Sequence, residues 1–186
     1  IDFNLSNKEK EIKKQQKIIG GYDANEYTTE RLWATAEDGT KIPISIIFHK
    51  NMVRNGENPT LLYAYGSYGI SSDATFSIAR LSLLQRGFIF AIAHIRGGED
   101  MGRNWYEDGK LLKKMNTFTD FISCGKYLVA QKITSPKYLC ALGGSAGGML
   151  MGGIINMEPH LWKAVIAAVP FVDVLTTMLD DTIPFT

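Results

Sequence analysis

A serine hydroxyl becomes a nucleophile only where its surroundings make it one. The stretch Leu142 to Leu150, LGGSAGGML, surrounds Ser145 with four glycines and an alanine. Gly143-Gly144-Ser145-Ala146-Gly147 fits the pattern G-x-S-x-G, and it follows a strand-like run, Tyr138 to Leu142, and precedes an apolar run with helical character. On such a turn the backbone is strained, and small neighbours let strand and helix approach. The Oγ then projects above a sheet edge at a helix N-terminus, where the N–H of Ala146 and the helix dipole face developing negative charge. The chemistry this suits is acyl transfer through a covalent serine adduct. A phosphate-cradling loop does not fit, because the G-x-G-x-x-G spacing and the Lys-Ser/Thr pair of a P-loop are both missing.

Such a serine needs a base, and the base needs an orienting acid. On this kind of turn they follow the serine as Asp or Glu, then His. The only downstream histidine is His160. It falls past the far end of the helix that begins at Ser145, carried away at about 1.5 Å per residue, so it is out of reach. His49 and His94 lie upstream, against the expected order, and His94 closes a buried run and reads as structural. Asp173, Asp180 and Asp181 are acids with no histidine to orient. The triad Asp and His are therefore expected beyond the end of this chain.

The elements that must hold Ser145 are legible in the hydrophobic pattern. Arg31 to Glu37 and Lys41 to Lys50 read as strands joined by Asp38-Gly39, a hairpin signal because both positions tolerate positive φ. Thr60 to Tyr65 is a short apolar strand ending at Gly66. Ala74 to Gln85 spaces Phe76, Ile78, Leu81 and Leu84 close to a helical period. Phe88 to Ile95 is apolar throughout except at His94, which reads as a strand covered on both faces and hence parallel. A helix capped by Asn116 follows, broken at Ser135-Pro136. Then come a strand to Leu142, a helix over Ala146 to Met157, and a buried strand over Ala164 to Val169. Alternating strands and helices imply an α/β fold with a mostly parallel, doubly wound sheet.

The chain has 186 residues, 45% of them hydrophobic and 21% charged, which suits one globular domain. A net charge of +1 points to neither nucleic acid nor an anionic membrane. Cys124 and Cys140 have no metal-site spacing and read as reduced thiols of a cytoplasmic protein. No apolar run is long enough for a membrane span, and IDFNLSNKEK is not a signal peptide. No metal or cofactor is implied. The alternating Ile1 to Leu5 reads as a strand with no visible partner, and residues 6 to 19 as a solvated, lysine-rich linker. The last residues, Ile183 to Thr186, bring no closing element, so the chain reads as a piece of a longer polypeptide.

From about Tyr27 onward the sequence resembles the catalytic domain of the prolyl oligopeptidase family of serine peptidases, and within it the oligopeptidase B branch. The matching stretches are Tyr63-Ala64-Tyr65-Gly66-Ser67-Tyr68-Gly69, His94-Ile95-Arg96-Gly97-Gly98, Trp105 to Lys110, Gly143 to Met151, and Val169 to Val174 running into Thr176 to Asp180. The resemblance implies an α/β-hydrolase fold truncated at its C-terminal side. Residues 1–26 would be the end of a β-propeller and a linker, and 27–186 the N-terminal part of the catalytic domain. It implies Ser145 as nucleophile, with the Tyr65 hydroxyl and the Ala146 N–H as oxyanion hole. Tyr68 would line the first substrate pocket, and Asp73 would bind basic peptide residues. In the resembling proteins Asp73 opens an Asp-Ala-Asp stretch, whereas here it reads Asp73-Ala74-Thr75 and lacks the second acid. Arg96 and the Trp105 to Lys110 segment are shared without an evident role. The implied activity is cleavage of short peptides after Arg or Lys, with further acidic determinants past Thr186. The alternatives are an esterase or prolyl-specific peptidase on the same fold, and an inactive fragment acting by binding.

Overall fold

The computed structural model describes residues 1–183, so the closing residues Pro184 to Thr186 lie outside the described residues. The first elements are β1 (Asp2–Phe3) and β2 (Lys10–Glu11), which pair antiparallel as a small exposed ribbon. The N-terminal strand thus has a partner after all, inside the segment expected to be linker. Asn4 turns the chain back, its side chain accepting from the Ser6 and Asn7 amides.

The main sheet holds six strands: β3 (Tyr27–Thr35), β4 (Lys41–His49), β5 (Thr60–Tyr63), β6 (Ile89–Ala93), β7 (Leu139–Gly144) and β8 (Ala164–Ala168). Their order across the sheet is β3-β4-β6-β5-β7-β8. β3 begins four residues earlier than the sequence suggested, because Tyr27 to Glu30 continue the full-length pairing with β4. The Asp38-Gly39 turn closes that hairpin as expected, with Gly39 at φ 85. All five residues of β6 are buried, yet its pairing is mixed: parallel to β5 and antiparallel to β4. Burial on both faces therefore did not make every neighbour parallel.

Helices cover both faces. α1 (Ile78–Leu84) packs Leu81 and Leu84 against Phe90 and Ile92 on one face. It is shorter than expected, since residues 74–77 lie outside any helix and the extended Ser77 stands at its N-cap. A short α2 (Arg103–Glu107), absent from the sequence reading, follows β6. On the opposite face lie α3 (Met115–Ala130) and α4 (Ala146–Met157), burying Phe121, Leu128, Leu150, Met151 and Ile154. The N-cap of α3 is Lys114 rather than Asn116, whose side chain instead donates to the Asp108 carbonyl. A last helix, α5 (Val174–Leu179), carries no buried residue.

β8 corrects a second expectation. Its sequence, AVIAA, is apolar enough for a core strand, but four of its five residues are exposed and Val169 just beyond it is 86% exposed. Among the described residues it is an edge strand paired only with β7. The sheet is otherwise the mostly parallel, doubly wound α/β-hydrolase arrangement. After β5 the chain adds β6 on one side, and after α3 it returns to add β7 on the other. That reversal places a topological switch point at the C-terminal ends of β5 and β7, where open α/β sheets place their ligands.

Candidate active site

Two loops leave the sheet at that switch point. One follows β5 and carries Ala64-Tyr65-Gly66. The other is the turn from β7 into α4, with Ser145 between Gly144 and Ala146. β5 and β7 are parallel neighbours in the register Tyr63 opposite Leu142, and the ladder is prolonged by a bond from the Ala64 N–H to the Leu142 carbonyl. The two loops therefore emerge side by side.

Ser145 has φ 55 and ψ −116, a conformation that costs a residue with a Cβ of order 1–3 kcal/mol. The surrounding structure over-determines it. The Ser145 N–H donates to Ala168 at the end of β8, and its carbonyl accepts from Gly148, Met149 and Phe171. Neighbouring glycines make the turn sterically possible. A Cβ on Gly143 would lie 2.2 Å from the Gly147 carbonyl oxygen, and one on Gly148 2.5 Å from the Pro170 Cα. Ser145 itself is exposed and its side chain makes no capping hydrogen bond to α4. The result is a free hydroxyl presented at the start of a twelve-residue helix. Ala146, the first residue of α4, is buried, and its N–H has no acceptor inside the helix.

Gly147 joins this turn to Tyr65. A Cβ there would stand 2.8 Å from the Ala64 carbonyl oxygen and 3.4 Å from the Tyr65 Cα. Tyr65 is half-buried and lies two residues past the end of β5, not within the strand as its sequence suggested. It lines a cleft of about 520 Å³ together with Ile70, Ser72, Asp73 and Arg80. Asp73 is exposed and sits in that cleft. Tyr68 is not brought in: it is 73% exposed, stands at φ 57, and is not among the residues that line the cleft.

The histidines fall as their positions required. His160 is exposed in a 3-10 turn beyond the far end of α4. His94 is buried, with Nε2 2.8 Å from Ser45 Oγ and Nδ1 2.8 Å from Asp100 Oδ1. These three groups have the order of a catalytic triad, but Ser45 lies mid-strand, with β3 and β6 on either side. Its neighbouring backbone groups belong to those ladders, so no pair of N–H donors converges on the hydroxyl. The relay is a structural pin instead. Asp100 also accepts from the Ser72 N–H, fixing the loop that carries Asp73.

Sequence reasoning missed the supports beneath the Tyr65 loop. Arg96 is buried and bidentate on the fully buried Asp120, at 2.8 and 2.6 Å, and it reaches Asp38 of the β3–β4 turn at 2.6 Å. Burial pushes the Asp120 carboxyl up and Arg96 opposes it, while hydrogen bonding to Asp120 holds the Arg96 guanidinium above the usual arginine range. Next along the chain, Gly97 passes so close to Gly66 that a Cβ would meet the Gly66 carbonyl oxygen at 2.2 Å. Lys114, at the start of α3, donates to that same carbonyl at 2.5 Å and to Ser67 Oγ at 2.8 Å. The Arg96-Gly97-Gly98 signal was visible in the sequence, but its partners were not.

Among the described residues no group of three or more His, Cys, Asp or Glu side chains could hold a metal ion, and no helix is long and apolar enough to cross a membrane.

Comparison with known proteins agrees with this fold. The model of the prolyl oligopeptidase family matches residues 74–186. The chain is 54% identical over 186 residues to the dipeptidyl aminopeptidase BI of Pseudoxanthomonas mexicana, covering all of this chain and 26% of that protein. It is 49% identical over 184 residues to protease 2 of Moraxella lacunata, covering 99% of this chain and 27% of that protein. Among solved structures, oligopeptidase B from Trypanosoma brucei, with covalently bound antipain, superimposes with a TM-score of 0.94 at 46% identity. That match covers 99% of this chain and 26% of the other. Oligopeptidase B from Leishmania major gives 0.86 at 55% identity, over 89% of this chain and 23% of the other. The chain thus spans about a quarter of the length of the relatives it matches. On the family match and on an identity of this size, the chain belongs to the prolyl oligopeptidase family.

Proposed function

We propose that this chain is the nucleophile-bearing part of the catalytic domain of a longer serine oligopeptidase that cleaves short peptides after Arg or Lys. Residues 27–186 are the first part of that domain, and residues 1–26, with their separate ribbon, are the end of a β-propeller and its linker. Ser145 Oγ attacks the scissile carbonyl while a histidine from the longer polypeptide takes its proton. The tetrahedral oxyanion is held by the Tyr65 hydroxyl and the Ala146 N–H. Collapse expels the amine, which leaves with the proton, and water then hydrolyses the acyl-enzyme by the same route.

The observation that carries this reading is the exposed Ser145 at φ 55, at the head of α4 and one glycine away from Tyr65. No cofactor or metal enters the chemistry. Asp73 in the cleft beside Tyr65 supports a basic substrate residue, although Thr75 stands where a second acid would strengthen it. The free Cys124 and Cys140 support a reducing, cytoplasmic setting. A second reading comes from the relative at 54% identity, named a dipeptidyl aminopeptidase, in which the substrate's free N-terminus is read.

Labelling of the full-length polypeptide with a fluorophosphonate, followed by peptide mapping, tests the nucleophile. Label on Ser145, lost in Ser145→Ala, is the expected result. An unlabelled Ser145 in a folded protein overturns the reading and leaves a protein that acts by binding. Arg-ester, blocked Arg-peptide, blocked Pro-peptide and free-amine dipeptidyl substrates, assayed side by side, then separate the specificities. Turnover confined to the Pro, dipeptidyl or ester substrates rejects cleavage after Arg or Lys.

A further inference from the structure

Lys114 stands where a lysine is costly. It is the N-cap residue of the sixteen-residue α3, the end at which the helix dipole opposes positive charge. Among the described residues no carboxylate lies within ion-pairing distance of it, although its neighbours Lys110 and Lys113 are paired with Glu107 and Asp108. Desolvation pushes its pKa down to about 8. A methionine could fill the same space without these costs, so the charge is retained for what it holds.

What it holds is the peptide directly after Tyr65. The Lys114 Nζ donates to the Gly66 carbonyl and to Ser67 Oγ. Gly66, at φ 71, is so enclosed that a Cβ would strike Thr117 Cγ2 at 2.6 Å and Ile95 Cδ1 at 2.8 Å. Thr117, one turn into α3, donates to the Arg96 carbonyl at 2.8 Å. On the other side, α4 packs so close that a Cβ on Gly147 would stand 2.8 Å from the Ala64 carbonyl oxygen. The first turn of α3 and the first turn of α4 thus hold this loop from two directions, and Lys114 supplies hydrogen bonds aimed at the loop itself.

We infer that Lys114 is a positioning residue for Tyr65, fixing the Gly66 peptide and Ser67 so that the tyrosine is set beside the Ser145 turn before substrate arrives. The inference rests on Tyr65 acting as oxyanion donor. It concerns preorganisation, so Lys114 acts on turnover rather than on substrate binding.

The test is a double-mutant cycle in the full-length enzyme, with Lys114→Met, Tyr65→Phe and the pair, read as kcat, KM and melting temperature. Lys114→Met lowers kcat by about tenfold with KM within about twofold. It adds little further loss in the Tyr65→Phe background, and Lys114→Arg, which keeps a cationic donor, restores most of the rate. Losses that simply multiply, or a change confined to KM or to melting temperature, overturn the inference. If Lys114→Met does not fold, Lys114→Gln, which keeps a neutral donor, takes its place in the same cycle. The arms are separable: an unchanged kcat in Tyr65→Phe removes Tyr65 from the oxyanion hole, whereas a fall there with no effect at Lys114 removes only the positioning role.

Discussion

Gly147 and Tyr65 meet across the switch point in ordinary contact, a Cβ on Gly147 lying 3.4 Å from the Tyr65 Cα, but the Ala64 carbonyl oxygen just before Tyr65 leaves no room for a methyl group, at 2.8 Å. The glycines around Ser145 thus have divided duties. Gly143 lets the turn close on itself, Gly148 lets α4 pass Pro170, and Gly147 sets how near the helix comes to the Tyr65 loop.

Substituting Gly147 by alanine therefore acts at a distance. A helical alanine is normally favoured over glycine by about 1 kcal/mol, but here a backbone carbonyl blocks the new methyl. The expected outcome is a lower melting temperature and a fall in kcat of roughly tenfold or more, because a 1 Å displacement of a donor is costly. An unaltered melt and an unaltered kcat would mean that the loop yields freely.

Tyr65→Phe removes a hydroxyl and leaves the ring. Loss of one oxyanion donor costs about 2–4 kcal/mol of transition-state stabilisation, felt in kcat with KM nearly unchanged. Steady-state kinetics on an activated Arg ester and on an Arg amide check this. A purely binding role for Tyr65 would show as raised KM instead.

Ser145→Gly should separate strain from chemistry. Glycine adopts φ 55 without penalty, so the variant relieves a conformation worth of order 1–3 kcal/mol. A higher melting temperature together with lost turnover and lost fluorophosphonate labelling is expected. A variant less stable than Ser145→Ala would show that the turn stores no strain.

The residues that do chemistry were more legible in the sequence than the residues that hold them. The span of α4, Ala146 to Met157, follows from a local motif and a local apolar run, and so does the burial of β6. Arg96 was visible as part of a shared signal, but its partners Asp120 and Asp38 lie 24 and 58 positions away and carry no local mark. Lys114 carries no local mark either. Asn116 reads as the helix cap, but the packing gives its side chain to the Asp108 carbonyl. β8 misled in the opposite sense, because apolar composition reports what a strand can bury and not what lies against it.

Arg96→Met leaves Asp120 buried without its counter-charge, with 0% of the carboxylate side chain exposed. Breaking a buried pair from one side costs about 3–5 kcal/mol. Chemical denaturation should show a loss in that range, and Arg96→Lys should recover only part of it, since one ammonium cannot replace the bidentate fork. Removing both partners, as Arg96→Met with Asp120→Leu, should cost less than Arg96→Met alone. If the double variant is instead the less stable, the ion pair itself contributes net stability.

Asp38 supplies a signed dependence on pH. The Thr40 N–H, ahead of the Arg96 guanidinium, holds its carboxyl down at about 2, against roughly 3.9 for an unfolded aspartate. The unfolded chain therefore takes up this proton first as acid is added. The stabilisation from ionised Asp38 is present in full above about pH 4 and is lost as pH falls toward 2. Asp38→Asn keeps the size of the side chain and removes the titration. The stability gap between the two proteins should be widest at neutral pH and should narrow steadily between about pH 4 and pH 2. The side chain is 47% exposed, so solvent screening keeps that gap modest. A gap independent of pH would assign the effect of the substitution to the shape of the Asp38-Gly39 turn, and a gap that widened in acid would contradict the lowered pKa outright.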